Sequence, residues 1–196
     1  MRDAAMAIHD YTKTCFAETL QEIMREKDLE DVRVNDLCTK TGTQRGTFYH
    51  HFKDKYDLVS WIFMKDQEQS FHAVGGVFSE VQLALSLQKM WKKRAFYIKA
   101  FNDHSQNTLY EYIQEYDVSL LKELVLQYLG TDQLTQEQLF VIKYHSYGCL
   151  GYTIEWLKGK IPVTPEELAH IEFQTMPQLI KDACSFAAVH GKKRGT

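Results

Sequence analysis

Little in this chain would interrupt a helix. Its 196 residues include 3 prolines and 10 glycines, so long stretches run without a breaker, and the expected fold class is all-α. Cysteine is sparse as well. Cys15, Cys38, Cys149 and Cys184 lie far apart with no C-x-x-C pair, which argues against a disulfide framework or a zinc site. A basic excess is also missing, because 23 lysines and arginines face 26 aspartates and glutamates for a net charge of −3. Binding to nucleic acid must therefore rest on a local patch rather than on the charge of the whole chain. No apolar segment follows a basic start, and no apolar run reaches bilayer length, so a soluble cytoplasmic protein without membrane contact is expected. Nucleophile elbow, phosphate loop and metal constellation are all absent from the sequence, so an enzyme is the poorest reading, and neither cofactor nor metal is expected.

What the chain does have is apolar material, 44% hydrophobic and 13% aromatic, ample for a buried core. Cys15, Phe16, Leu20, Ile23 and Met24 recur at helical spacing between Tyr11 and about Arg25 and describe an amphipathic first helix. A short second helix is expected from Asn35 or Asp36 through Thr41, ended by Gly42 in the left-handed region. A third opens at Thr43 or Gln44, with Thr43 the better cap, and runs to about Phe52. Asp54 is placed to cap a fourth, reaching about Phe71 before Gly75-Gly76 breaks the pattern. Further helices are expected at about Ser79–Trp91, Arg94–Asn102, Gln106–Leu129, Thr135–Lys158 and Pro165–Val189, the last kinked at Pro177. Lys192-Lys193-Arg194 reads as a solvated tail.

A short helix, a glycine turn and a second short helix make a helix-turn-helix, whose second helix can enter a major groove. Leu37, Phe48 and Phe52 are expected to face the core of the first three helices. Arg45 can pair with guanine, Gln44 with adenine, and Thr47 can meet a thymine methyl or a phosphate. Gly46 removes a side chain where the helix would approach the duplex, and Asn35 joins the same surface. Tyr49, His50 and Lys55 are placed to hold phosphates, with the amides opening the fourth helix as a further contact. Between residues 40 and 55 the fixed charges are Lys40, Arg45, Lys53 and Lys55 against Asp54, a local excess of three. His50 and His51 point about 100° apart on a helix and do not converge on one ion.

The run from Thr43 through Arg45-Gly46-Thr47-Phe48-Tyr49-His50-His51-Phe52 to Lys55 resembles the recognition-helix signature of the TetR/AcrR family of regulators. Val34 to Gly42 is similar to that family's preceding helix, with Cys38 and Thr41 where alanines are usual. Thr43 and Gln44 replace the usual valine and serine. The later runs Phe96–Phe101 and Tyr147–Gly159 resemble the C-terminal halves of dihydroxyacetone-kinase regulators and their relatives. The resemblance implies a three-helix DNA-binding domain, residues 1–55, and a larger ligand-binding and dimerisation domain, residues 56–196. It implies a homodimer on a palindromic double-stranded operator, with repression as the expected sense and an unknown small-molecule effector in control. It also makes His50 a groove-wall residue and His51 a helix-end contact. Effector candidates are Trp91, Tyr97, Phe101, Tyr112, Tyr116, Tyr144 and His145, and a dimer interface is expected at Gly148, Gly151, Tyr152, Trp156, Phe173, Met176 and Ile180. The competing reading, motivated by the acidic net charge, is a protein-interaction module of the same fold that has lost DNA binding.

Overall fold

The computed structural model describes the backbone of residues 2–103 and 108–190, with side chains from Asp10 onward. Ten α-helices are found among the described residues: α1 Arg2–Ile23, α2 Val34–Thr41, α3 Arg45–His51, α4 Lys55–Ala73, α5 Glu80–Lys92, α6 Arg94–Asn102, α7 Leu109–Leu129, α8 Gln136–Leu157, α9 Pro165–Thr175 and α10 Gln178–His190. A short 3-10 turn, Leu29–Asp31, joins α1 to α2. The described residues contain no strand. The expected helix start at Gln106 and the tail at Lys192-Lys193-Arg194 lie outside the described residues.

Helix ends follow local chemistry. Gly42 closes α2 at φ 66°, a left-handed conformation that glycine adopts without a Cβ penalty. Asp54 caps α4, its Oδ1 accepting from the backbone N–H groups of Tyr56 at 2.8 Å and Asp57 at 2.9 Å. Thr164 opens α9 by accepting from Glu167 N, and Glu167 accepts in return from Thr164 N. Two expectations need correction. Thr43 does not cap α3, because its hydroxyl is paired with that of Thr41 at 2.8 Å and Gln44 takes the cap position. The last helical stretch is broken rather than kinked. Met176 adopts φ −56° and ψ 131°, the extended form favoured before proline, and α9 and α10 are separate helices.

The chain forms two compact units. The first comprises residues 1–65 with 93–109, and the second residues 66–92 with 110–196. This division differs from a single cut after residue 55, since α6 belongs to the first unit and α4 crosses the boundary at Lys65–Asp66. In the first unit Phe16, Leu20, Leu37, Phe48 and Leu58 are fully buried. Phe16 meets Phe48 edge-on at 5.2 Å and Phe52 at 6.4 Å, a favourable aromatic geometry that fixes α1 against α3. Lys99 on α6 donates to the Lys27 carbonyl at 2.9 Å and lies 3.3 Å from Asp28. It therefore holds the chain leaving α1.

The second unit packs α5 on α9 and joins α7, α8 and α10 through Val125, Ile142 and Ala183. A second cluster, Met176, Ile180 and Cys184, packs against Phe78, Leu121 and Phe173. Among the described residues no helix is long and apolar enough to cross a membrane.

Candidate nucleic-acid interface

Helices α2 and α3 meet across Gly42, and Phe48 anchors α3 by its fully buried ring. That anchoring turns the opposite side of α3 outward. Gln44, Arg45, Gly46, Tyr49 and His50 are exposed, Thr47 is half-buried, and Asn35 is exposed on α2. At the start of α3 the Gln44 side chain makes no capping bond. The Arg45 guanidinium donates to the Tyr49 hydroxyl at 3.4 Å and lies over its ring, so one turn of helix holds an arginine at the surface in a defined place.

Gly46 is informative by what surrounds it. A Cβ built there would meet nothing within 4 Å, and its backbone is helical rather than left-handed. Glycine inside a helix costs up to about 1 kcal/mol relative to alanine. Among the described residues no neighbour requires it.

Three placements change the expected electrostatics. Lys55 does not face outward: its Nζ donates to the carbonyls of Leu29 at 2.6 Å, Glu30 at 2.8 Å and Val32 at 3.0 Å. An ammonium has three donors, and all three are engaged in closing the 3-10 turn, so the expected phosphate contact is withdrawn. Burial lowers the Lys55 pKa, opposed by the charges of Asp103, Asp31, Glu30 and Asp54. Lys40 pairs with Glu22 at 3.0 Å. The Tyr56 and Asp57 amides opening α4 are satisfied by Asp54 and are not free for a phosphate. Lys40 is exposed but paired, so Arg45 and Lys53 are left as the exposed fixed cations of the segment with no ion pair among the described residues. His50 and His51 contact each other with ring centroids 5.1 Å apart and planes 73° apart, and His51 is half-buried.

The residues expected at an effector site do not all come together. Tyr97 and Phe101 are buried on α6 in the first unit. Tyr144 is 71% exposed and stacks on Phe140 at 5.6 Å, on the outer face of α8. Trp91 is partly exposed and lies against Trp156 at 4.7 Å. Tyr112 and Tyr116 are half-buried on α7, and His145 is half-buried beside Cys149 at 3.6 Å.

The expected dimer residues also divide. Trp156 and Ile180 are fully buried and Met176 nearly so, which makes them core of the second unit rather than interface. The Trp156 indole N–H donates to the Val163 carbonyl at 2.8 Å, which fixes it inside. Phe173 is half-buried and packs against Phe78. Gly148 and Tyr152 are exposed and Gly151 is half-buried, on one face of α8 with Phe140, Tyr144 and Tyr147. Buried polar groups at Ser146, Thr153 and Glu172, and the half-buried Asp117, were missed. The available signal was a carboxylate or hydroxyl at a core-facing position of an apolar helix.

Comparison with known proteins agrees with this geometry. Residues 19–61 match the family of bacterial regulatory proteins of the tetR family, and residues 82–178 match a transcriptional regulator C-terminal region; together these span well over half the chain. The HTH-type dhaKLM operon transcriptional activator DhaS of Lactococcus lactis is 25% identical over 91 residues, 46% of this chain and 49% of that protein. An HTH-type transcriptional regulator of Staphylococcus aureus strain USA300 is 33% identical over 49 residues, 25% of this chain and 26% of its own. The matched segments thus span half or less of these curated relatives. A solved structure described as dihydroxyacetone kinase operon activator DhaS shares the fold with a TM-score of 0.59 at 21% identity. That match covers 87% of this chain and 96% of the other. These families and relatives are transcriptional regulators, not enzymes, and with its helix-turn-helix formed by α2 and α3 the chain belongs to the TetR family.

Proposed function

We propose that this protein is a cytoplasmic regulator that binds a palindromic operator as a two-fold dimer through α3, under control of a small molecule held in the second unit. The observation that carries the reading is Gly46, a helical glycine with empty space around it beside an exposed Arg45, Gln44 and Tyr49. Such a surface lets the start of α3 approach base edges closely, with Arg45 on guanine, Gln44 on adenine, and Tyr49 and His50 on phosphates.

The dimer reading is supported by the outer face of α8. Gly148 and Gly151 are also helical, and a Cβ at either would meet nothing within 4 Å. Phe140, Tyr144, Tyr147 and Tyr152 expose large rings along the same helix. Small residues rimmed by aromatics suit close packing of α8 against its symmetry mate. A dimer places its two reading helices about one turn of DNA apart, roughly 34–36 Å. Effector binding that favours one spacing over another alters operator affinity, and α4, which continues from one unit into the next, is the element proposed to carry the change.

Repression is the proposed sense. The likeness to a protein named as an activator favours activation as the second reading, and a reporter placed downstream of the operator decides between them. The test of operator binding is selection from a random duplex pool by wild type and by R45A/Y49A. A palindrome enriched by wild type alone supports the proposal. No enrichment by a folded dimer favours an interaction module without DNA readout.

A further inference from the structure

The interior of the second unit holds a group of polar side chains that neither its packing nor the DNA interface uses. Glu172 on α9 is buried and accepts a hydrogen bond from the Thr153 hydroxyl on α8 at 2.8 Å. Asp117 on α7 is half-buried and lies close enough for its charge to act on Glu172, and both carboxylates act on the Cys149 thiol of α8. Two helices, α7 and α9, therefore bring carboxylates near each other and near the α8 thiol. Neither carboxylate has an ion-pair partner among the described residues, and Asp117 has no hydrogen-bond partner there either. Burial raises both to about 7.

Ser146 supplies an independent observation. It stands seven residues, two helical turns, before Thr153 and so shares its side of α8. Ser146 is 3% exposed, and its Oγ has no hydrogen-bond partner among the described residues. A buried hydroxyl left unpaired destabilises the folded chain unless something else pairs it. A unit that needed only to pack would carry apolar side chains at these positions.

We propose that Asp117, Glu172, Ser146 and Thr153 form the polar part of the effector site, and that its ligand is a small organic amine bound as the ammonium ion. The proposal rests on reading the second unit as the effector domain. An ammonium carries three donors and no acceptor, which matches two carboxylates and a free hydroxyl oxygen. Tyr116, half-buried on α7 and within electrostatic reach of Asp117, is the proposed apolar surface for the amine's carbon chain. A metal ion fits less well, since no three His, Cys, Asp or Glu side chains of the described residues converge as ligands.

Amine binding favours the ionised carboxylates, so it releases protons near neutral pH and tightens as pH rises. The other titratable groups facing the cluster do not supply those protons. Burial pushes the Cys149 thiol up to about 12, raises Tyr116 above its ordinary value with help from Asp117, and lowers His145. Cys149 and Tyr116 are neutral in that range, and His145 is shifted toward its neutral form.

The experiment is titration calorimetry of the full chain with butylamine, benzylamine and 1,4-diaminobutane against the corresponding alcohols, at about pH 6 and about pH 8. At least one amine is expected to bind where its alcohol does not, more tightly at the higher pH and with proton release. D117N and E172Q are expected to weaken it about tenfold or more. S146A is expected to raise the melting temperature of the free protein while weakening the amine, a combination that a purely structural serine would not give. Alcohols binding as well as amines, affinity unchanged in D117N/E172Q, or no amine binding overturns the proposal. Operator affinity is measured in parallel. A bound amine that leaves it unchanged upholds the site and removes effector control, whereas operator release by a neutral compound indifferent to D117N/E172Q upholds effector control and overturns the amine site.

Discussion

Arg45, Gly46 and Lys55 sit within eleven positions and do three different jobs. Arg45 is exposed and, among the described residues, held only by Tyr49, so R45A is expected to leave the fold intact. It should cost about 1–3 kcal/mol of operator binding and relax specificity at one base position, which a competition assay over mutated operators reads. G46A is expected to do the reverse to stability: the free protein gains up to about 1 kcal/mol in chemical denaturation while operator affinity falls. Lys55 closes the turn after α1 from within. K55M should therefore lower the melting temperature, yet leave the salt dependence of DNA binding unchanged, because no phosphate contact is lost. Its position explains why sequence misleads here. A lysine after a recognition helix reads as a phosphate ligand, and nothing local reveals that Leu29–Val32 folds back onto it.

At the scale of elements, the helices whose ends are written in short-range chemistry were legible. Gly42, Asp54 and Thr164-Pro165 each mark a boundary through a backbone angle or a cap that needs only neighbours in sequence. Leu37, Phe48 and Phe52 disclosed their buried face because polar residues separate them. Helix α8 did not, being apolar on most sides, so periodicity cannot tell Trp156, which is core, from Tyr152, which is surface. Its exposed Gly148 and half-buried Gly151 make the element testable. G148L/G151L is expected to keep the helical circular-dichroism signal and shift the protein toward monomer in sedimentation, with loss of operator binding. A dimer that persists with unchanged affinity would place the interface elsewhere.

For the whole molecule, acidity within the second unit makes stability depend on pH in an unusual direction. Asp117 and Glu172 are raised to about 7, so between the ordinary carboxyl range and about 7 the folded chain holds protons that the unfolded chain has lost. Stability falls as pH rises through that window, by up to about 1.4 kcal/mol per pH unit for each carboxyl. His145 is lowered by burial and acts with opposite sign below its ordinary value. It is common to wild type and D117N/E172Q, so comparing the two isolates the carboxyls. Wild type is expected to lose melting temperature relative to the double variant between about pH 5 and about pH 8. That these two carboxylates act on one another was not legible beforehand, because they stand fifty-five positions apart with no sign in sequence of meeting.

The first unit is discontinuous, closed by Lys99 reaching Lys27 and Asp28 after the chain has passed through Asp66–Lys92. During synthesis the DNA-reading head therefore cannot be finished before part of the second unit has been made. Its nascent form must wait with Leu29 and its neighbours incompletely braced, and excision of the leading segment as an independent DNA-binding fragment would leave out the strut that ties its first turn.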